Sequence, residues 1–156
     1  MKILLTGCSG QLGRELKRSL ACLDELVACD RRQLDLSNPD ALRAAVRAIA
    51  PTTIINSAAY TAVDKAEAEP SVADAINAVA PGILAEEARR LGALLIHYST
   101  DYVFDGAKPA PYSEDDRPAP LSVYGRSKHE GELAIAATGA RHLIFRTSWV
   151  YGLHGA

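Results

Sequence analysis

The 156-residue sequence has little of several features that would each indicate a particular class of protein. No stretch approaches the roughly 18 consecutive apolar residues of a membrane-spanning helix. Strong net charge is also missing, because 17 Lys and Arg stand against 19 Asp and Glu. This balance argues against a nucleic-acid-binding surface or a polybasic membrane patch. We therefore expect neither a nucleic acid nor a membrane among the partners of this protein.

Cysteine and histidine are scarce as well. Cys8, Cys22 and Cys29 are odd in number and lack the spacing of metal ligands, so reduced thiols in a cytoplasm are the expectation. The N-terminus has the character of a folded strand and not of a signal peptide, which agrees with a cytoplasmic location. The four histidines also lack ligand spacing: His97, His129, His142 and His154. We therefore predict no metal site in this sequence.

The first twenty residues contain an apolar run, three glycines and a helix with one apolar face. The run is residues 3–5, and leucines then recur every four residues from Leu12 to Leu20. The glycines have the spacing G-x-x-G-x-x-G: Gly7, Gly10 and Gly13. In a dinucleotide-binding fold they allow a tight turn, a close approach of phosphate and close helix packing, while the helix N-terminus attracts the pyrophosphate. Three turn glycines without a ligand are the alternative.

Charged residues follow the second predicted strand, residues 25–29. Asp30 is placed to hold the ribose hydroxyls of an adenosine, whereas Arg31 and Arg32 can neutralise a 2′-phosphate. We therefore expect NADPH, or both NADPH and NADH, as the cofactor. A solvated loop is the alternative for this segment, and Asp35 can either contact the adenine edge or belong to the next turn.

The remaining elements predict an α/β protein with a Rossmann-type, doubly wound parallel sheet of five strands in the order 2-1-3-4-5. The further strands are predicted at residues 53–56, 93–98 and 142–146, and residues 33–36 are a candidate for an additional edge strand. Asn38 is the expected N-cap of one helix. A long helical stretch after residue 64 should be broken at Pro81 and end at Gly92. Asn77, near this break, either orders a proton-relay water or bonds the carbonyl that Pro81 frees.

Three polar residues form a candidate catalytic group. Tyr124 and Lys128 are four residues apart on a predicted helix, so both project from one face. A nearby ammonium would lower the phenol's pKa from its ordinary value of about 10. Thr100, at the end of the fourth strand, can donate a hydrogen bond to a carbonyl oxygen. Such a group would protonate the alkoxide that hydride transfer from a nicotinamide leaves.

Five segments carry a resemblance to a known family: residues 5–13, 56–67, 98–106, 123–128 and 145–152. On these segments the sequence is similar to the dTDP-4-dehydrorhamnose reductases of the extended short-chain dehydrogenase/reductase family. The resemblance covers nearly every residue. It implies NADPH- or NADH-dependent reduction of the 4-keto group of dTDP-4-dehydro-L-rhamnose to dTDP-L-rhamnose, in the synthesis of cell-surface polysaccharides. It also implies that Thr100, Tyr124 and Lys128 are the catalytic residues.

The residues and the resemblance together predict two sets of binding positions. The cofactor would contact Gly7, Ser9, Gly10, Gln11, Leu12, Asp30, Arg31, Asp35, Leu36, Ala58, Ala59, Tyr60, Tyr124 and Lys128. The dTDP-sugar would contact Thr100, Asp101, Tyr102, Tyr124 and Trp149. Without the resemblance, Trp149 would be assigned to core packing.

The family's reductases are longer than this sequence, which stops at Ala156. We therefore expect residues 1–156 to form the NAD(P)-binding domain, with the C-terminal substrate domain absent from this chain. Alone, it should bind the cofactor weakly, show negligible reductase activity and self-associate. The resemblance also implies a homodimer around Mg²⁺, whose ligands would lie beyond Ala156.

Three other functions stay open from the sequence. Nucleotide-sugar dehydratases carry Thr-Asp-Glu where this chain has Thr100-Asp101-Tyr102, so Tyr102 removes one acid–base group that elimination of water needs. Another nucleotide-sugar reductase or epimerase is a second alternative. A non-catalytic NADP-binding regulatory subunit is the third, although the presence of Tyr124 and Lys128 favours an enzyme.

Overall fold

The computed structural model describes residues 1–23 and 25–152, in which five parallel strands form one sheet in the order β2-β1-β3-β4-β5. The strands are β1 (Lys2–Thr6), β2 (Glu25–Cys29), β3 (Thr53–Asn56), β4 (Leu94–Thr100) and β5 (His142–Thr147). The predicted fold class and strand order are therefore confirmed. Strand β4 continues through Thr100, beyond its predicted end, and thereby includes a candidate catalytic residue in the sheet.

Within the described residues, six α-helices connect the strands. They are α1 (Gln11–Leu20), α2 (Pro39–Ile49), α3 (Val63–Ala68), α4 (Pro70–Asp74), α5 (Ala80–Leu91) and α6 (Val123–Ala137). A π-helical turn, Ala75–Val79, joins α4 to α5, and a 3-10 turn, Asp101–Val103, follows β4. As predicted, Asn38 caps α2 by accepting a 3.1 Å hydrogen bond from the Ala41 amide, and Gly92 ends α5 with a φ of 68°.

Helices cover both faces of the sheet because strand side chains alternate between the faces. One face contributes Leu4, Ile54 and Leu95 to the main core, which also holds Leu42 of α2, Leu84 of α5 and Ile135 of α6. The opposite face packs Ile3, Leu5 and Ile55 against α1. This division makes the carboxyl edge of the sheet the place where loops from both faces meet.

Two predicted details of the fold are wrong. Residues 33–36 form no edge strand, because the backbone turns there: the amides of Gln33 and Leu34 both donate to the Asp30 carbonyl. Pro81 does not break the helix, since it lies in the first turn of α5, directly after the π-helical turn. The wider turn accommodates a residue that has no N–H to donate. The helical stretch is interrupted earlier, at Glu69, which precedes Pro70 and leaves the helical region with φ −127° and ψ 50°.

Candidate active site

A cleft of about 680 Å³ lies at the carboxyl edge of the sheet. The loops after all five strands and the start of α6 form its walls. Every residue predicted to contact cofactor or substrate lines this cleft, with the single exception of Asp30. In a doubly wound sheet, the crevice outside the carboxyl ends of the strands is where ligands bind.

The glycine loop forms one wall through contacts that side chains would prevent. Gly7 has a φ of +72°, and a Cβ there would lie 2.7 Å from the Ala58 backbone. A Cβ on Gly13 would overlap the carbonyl oxygen of Gly7, so the start of α1 can pack on the loop only with glycine at this position. Helix α1 begins after Gly10 without a side-chain cap. Its first N–H groups are therefore available to an anion, and this cradle of bare backbone fits the diphosphate of a dinucleotide.

The acid and the arginine after β2 lie in different places. The Asp30 carboxylate accepts hydrogen bonds from the amides of Arg32 and Gln33, at 2.9 and 3.0 Å, and thus stabilises its own turn. It lines a shallow neighbouring groove and not the main cleft. Arg31, in contrast, lines the cleft itself. Arg31 thus brings a positive charge to this wall, near the Asp35 carboxylate, and a guanidinium can bind a phosphate.

Asp35 combines the two roles that the sequence left open. Its carboxylate accepts 3.0 and 2.7 Å hydrogen bonds from the amide and the hydroxyl of Ser37. These bonds, chiefly the one from the hydroxyl, lower the pKa of Asp35. The residue also lines the cleft beside Leu36. Asp35 therefore builds the turn and faces the region expected to hold the adenine.

Thr100 and Tyr124 meet at the centre of the cleft. Thr100 ends β4, and Tyr124 lies in the first turn of α6, where the Ser122 hydroxyl caps the helix by accepting from the Gly125 amide at 3.0 Å. Burial raises the pKa of Tyr124, the Thr100 hydroxyl lowers it, and the nearby acid Asp101 raises it again. The phenol is thus fully protonated near neutral pH, as a proton donor must be.

Lys128 is buried one turn along α6 from Tyr124, but it points elsewhere. Its Nζ donates a 2.6 Å hydrogen bond to the carbonyl of Tyr98 and lies 3.3 Å from Nε2 of His97. Burial lowers the pKa of Lys128 to about 8, although Glu132 acts in the opposite direction. The expected lowering of the Tyr124 pKa by this ammonium is not seen, because Nζ is turned towards β4.

Asn77 has a role that neither predicted alternative describes. Its side chain accepts from the amide of Tyr60 at 2.9 Å and donates to the carbonyl of the same residue at 3.0 Å. It also donates to the hydroxyl of Ser127 on α6 at 3.1 Å. Asn77 therefore fixes the loop after β3 to α6, and its assignment to a carbonyl freed by Pro81 is wrong.

The expected substrate side of the cleft is more open. Trp149 is 86% exposed, lines the cleft and has a positive φ of 50°, so its assignment to core packing is wrong. Asp101 is held by a 2.7 Å hydrogen bond from the hydroxyl of Ser148. The ring of Tyr102 meets the ring of Tyr124 edge to face, with centroids 5.6 Å apart. These exposed aromatic surfaces are suited to packing against a sugar or base.

Sequence reasoning missed a row of buried polar residues beneath the cleft. Thr6, Asn56 and His97 are direct neighbours across β1, β3 and β4 and share the face that α6 covers. The available signal was the position of each residue near the end of an apolar strand, where parallel register aligns them. The contact of His97 with Lys128 could not be found from the spacing along the chain.

Between residues 1 and 152, leaving out residue 24, no three His, Cys, Asp or Glu side chains are grouped as metal ligands. His154 lies outside the described residues. None of the helices in this part of the chain has the length and apolar character that crossing a membrane requires.

Comparison with known proteins identifies relatives over the whole chain. The family model described as the RmlD substrate binding domain matches residues 1–156. A dTDP-4-dehydrorhamnose reductase from Burkholderia thailandensis is 50% identical over 155 residues, which are 99% of this chain and 52% of that protein. The corresponding enzyme from Escherichia coli K12 is 51% identical, with 99% and 53% covered. This chain therefore spans about half the length of the curated relatives it matches.

A solved structure shows the same architecture. The dTDP-4-dehydrorhamnose reductase from Bacillus anthracis, determined in complex with NADP, superimposes with a TM-score of 0.94 and 39% identity. The match covers 99% of this chain and 56% of that one. Together with the family model, this agreement confirms the resemblance that the sequence motifs indicated. The chain belongs to the RmlD substrate binding domain family, among relatives that are dTDP-4-dehydrorhamnose reductases.

Proposed function

We propose that this chain is the cofactor-binding half of a reductase that converts the 4-keto group of dTDP-4-dehydro-L-rhamnose to the hydroxyl of dTDP-L-rhamnose. The observation that carries the proposal is the convergence of Thr100, Tyr124 and Lys128 on one cleft that also contains a glycine cradle. The kinship with named reductases supports the same reaction.

A dinucleotide fits the cradle on three grounds. Gly7 and Gly10 present bare backbone to the cleft, the start of α1 offers N–H groups, and Arg31 adds a positive charge to the lining of the same cleft. The NADP bound to the Bacillus anthracis reductase supports NADPH as one cofactor. We propose that both NADPH and NADH are used, with Arg31 binding the 2′-phosphate and Asp30 only shaping its turn. When bound, the nicotinamide supplies the hydride.

The chain's own residues then handle the oxygen and its proton. The Thr100 hydroxyl donates a hydrogen bond to the ketone oxygen and stabilises negative charge as it develops there. Tyr124 donates its phenolic proton to the same oxygen. Lys128 lies one turn away and stabilises the phenolate that Tyr124 becomes, once its ammonium turns from the Tyr98 carbonyl towards the cleft. Asp101, Tyr102 and Trp149 hold the sugar.

The domain organisation follows as part of this proposal. Residues 1–156 form the NAD(P)-binding domain, and the substrate domain that holds the dTDP group belongs to residues outside this chain. The relatives' greater length supports this division. The homodimer and the Mg²⁺ that the resemblance implies would likewise involve residues outside this chain.

A turnover assay on the full-length protein with dTDP-4-dehydrorhamnose tests the function, with oxidation of NADPH followed by absorbance. Tyr124→Phe removes the proton donor and keeps the ring, so kcat should fall by a factor of about 100 or more while the Kd for NADPH stays within twofold. The exposed Tyr151→Phe is the matched control and should retain wild-type kcat. Undiminished turnover in Tyr124→Phe would refute the assignment of the proton donor. Loss of NADPH binding would indicate that Tyr124 has a structural role.

A further inference from the structure

Four buried groups form a continuous hydrogen-bonded chain beneath the cleft. The Thr6 hydroxyl donates to Oδ1 of Asn56 at 2.6 Å, and Nδ2 of Asn56 lies 3.1 Å from Nδ1 of His97. On its other side, the His97 ring places Nε2 at 3.3 Å from Nζ of Lys128. Nζ in turn donates to the carbonyl of Tyr98 at 2.6 Å. All four residues are at most 1% exposed, so each depends on these partners for its hydrogen bonds.

The directions of the hydrogen bonds follow from the orientation of the Asn56 amide in this structure. Because Thr6 donates to Oδ1, the amide of Asn56 presents its N–H to His97, and Nδ1 of the ring must accept. The single proton of a neutral imidazole is then on Nε2, facing Nζ. A lysine ammonium has three donors and no lone pair, so it cannot accept this proton. This set of donors and acceptors therefore matches a neutral Lys128.

If Lys128 is charged, the donor and acceptor roles in these hydrogen bonds must be reversed. Nε2 must then accept from the ammonium, which moves the ring proton to Nδ1. Asn56 must present its carbonyl oxygen to Nδ1–H and its N–H₂ to Thr6, which requires rotation of the amide by half a turn. The hydroxyl of Thr6 suits both orientations, since it can donate or accept. The ring carries one proton in each state, so the only proton gained or lost is the one on Lys128.

We propose that Thr6, Asn56 and His97 form a buried switch that is coupled to the charge of Lys128, with His97 as a positioning residue that changes tautomer when Lys128 gains or loses its proton. The catalytic meaning of the switch depends on the proposed function, in which Lys128 assists Tyr124. In that setting the switch keeps the His97 ring hydrogen-bonded to Nζ in both states of Lys128, so the residue can exchange a proton without losing this partner.

The titratable groups near the four hydrogen-bonded side chains are His97, Glu132, Tyr98 and Tyr124. We expect Lys128, and none of these groups, to change its charge between pH 6 and 9.5. Burial holds the pKa of His97 well below its ordinary value, and the Lys128 charge acts in the same direction. Glu132, on the same helix, pairs with Arg146 of β5, and its pKa is below its usual range. The pKa values of the phenols of Tyr98 and Tyr124 are raised above 10.

The test is ¹⁵N NMR of the His97 ring between pH 6 and 9.5, with His97→Gln used to assign its signals. The ring should stay neutral throughout, with the proton on Nδ1 at low pH and on Nε2 at high pH. The midpoint should lie near the Lys128 pKa of about 8. In Lys128→Met the ring should hold one tautomer at every pH, and Lys128→Gln serves if the methionine variant does not fold. The control is Lys108→Met, which replaces a partly exposed lysine that pairs with Asp116 in the loop before α6. It should leave the reversal unchanged.

Three results would overturn the switch: one tautomer over the whole pH range in the wild-type protein, an imidazolium form within it, or a reversal that persists without Lys128. None of these measurements involves cofactor or substrate. A tautomer reversal in a protein without reductase activity would therefore refute the proposed function alone. Turnover without a reversal would refute the switch alone.

Discussion

Glu87 connects two helices behind the sheet, and its substitution should reveal a specific loss of stability. Its side chain is 2% exposed on α5 and accepts three hydrogen bonds from Nε and Nη2 of Arg47 of α2, the shortest at 2.6 Å. Arg90 of its own helix donates a fourth at 2.7 Å. A carboxylate with several charge-assisted hydrogen bonds strongly prefers its ionised form.

The size of the effect follows from the pKa of this carboxyl. The hydrogen bond from Arg47 is the main cause that lowers the pKa of Glu87 from 4.5 to about 2. At about 1.36 kcal/mol per unit, this difference corresponds to about 3.4 kcal/mol of stability. Arg47 and Arg90 are about half exposed, at 52% and 48%, so water screens part of the interaction. We therefore expect a contribution of about 2 to 3 kcal/mol.

The dependence on pH has a definite sign. The pKa of Glu87 is lowered on folding, so its contribution is fully present above the unfolded value of 4.5 and is lost as the pH falls towards 2. Glu87→Gln should therefore lower the free energy of unfolding by about 2 to 3 kcal/mol at pH 7, and by less than ~0.5 kcal/mol at pH 2. Urea unfolding followed by circular dichroism measures both values.

The neighbouring residue supplies the control. Glu86 pairs with Arg43 at the surface and is 53% exposed, so Glu86→Gln should cost less than ~1 kcal/mol at every pH. Two results would refute the reasoning. One is a Glu87→Gln effect of the same size at pH 2 and pH 7, and the other is an equal loss in Glu86→Gln.

Three further predictions concern the cofactor site. Arg31→Ala should raise the Kd for NADPH about tenfold and the Kd for NADH less than threefold in calorimetric titrations, and equal effects would exclude Arg31 as the phosphate ligand. Gly13→Ala should weaken both cofactors at least tenfold, because its Cβ overlaps the Gly7 carbonyl and displaces the cradle; unchanged binding would contradict that packing. The 156-residue chain alone should bind NADPH weakly and show negligible turnover, since remote binding energy orients the substrate; turnover at the full-length rate would disprove the proposed domain division.

Much of the fold could be predicted because its signals are local. Apolar runs and a four-residue leucine repeat define strands and helices directly, and short connections between parallel strands restrict the topology. The two wrong predictions, the edge strand and the helix break at Pro81, depend on the conformation of neighbouring residues. Residues 33–36 are turned by the carbonyl of Asp30, and Pro81 is accommodated by a wider turn that no single-residue preference indicates.

The residues of the candidate site could be predicted from the sequence, but the partners of their side chains could not. Thr100, Tyr124 and Lys128 were found from spacing and resemblance, and the structure brings them to one cleft. The direction in which Lys128 points depends on the Tyr98 carbonyl and the His97 ring, which lie about thirty residues earlier on another element. Asp30 was assigned to the ribose because of its spacing after the glycine loop. The structure shows instead that its carboxylate accepts a hydrogen bond within its own turn.

Measurements of stability can show whether the hydrogen-bonded groups Thr6, Asn56, His97 and Lys128 are needed for the fold. His97→Leu alone should destabilise the protein by about 2 to 4 kcal/mol, because it takes one hydrogen-bond partner from Nδ2 of Asn56 and one from Nζ of Lys128, both of which are buried. Replacing all four groups by apolar side chains, with Thr6→Val, Asn56→Leu and Lys128→Met added, should recover most of that loss, since an apolar core needs no hydrogen bonds. Urea unfolding measures both. A quadruple variant less stable than His97→Leu would show that these polar groups serve the fold, whereas recovery of stability would show that the fold does not need them.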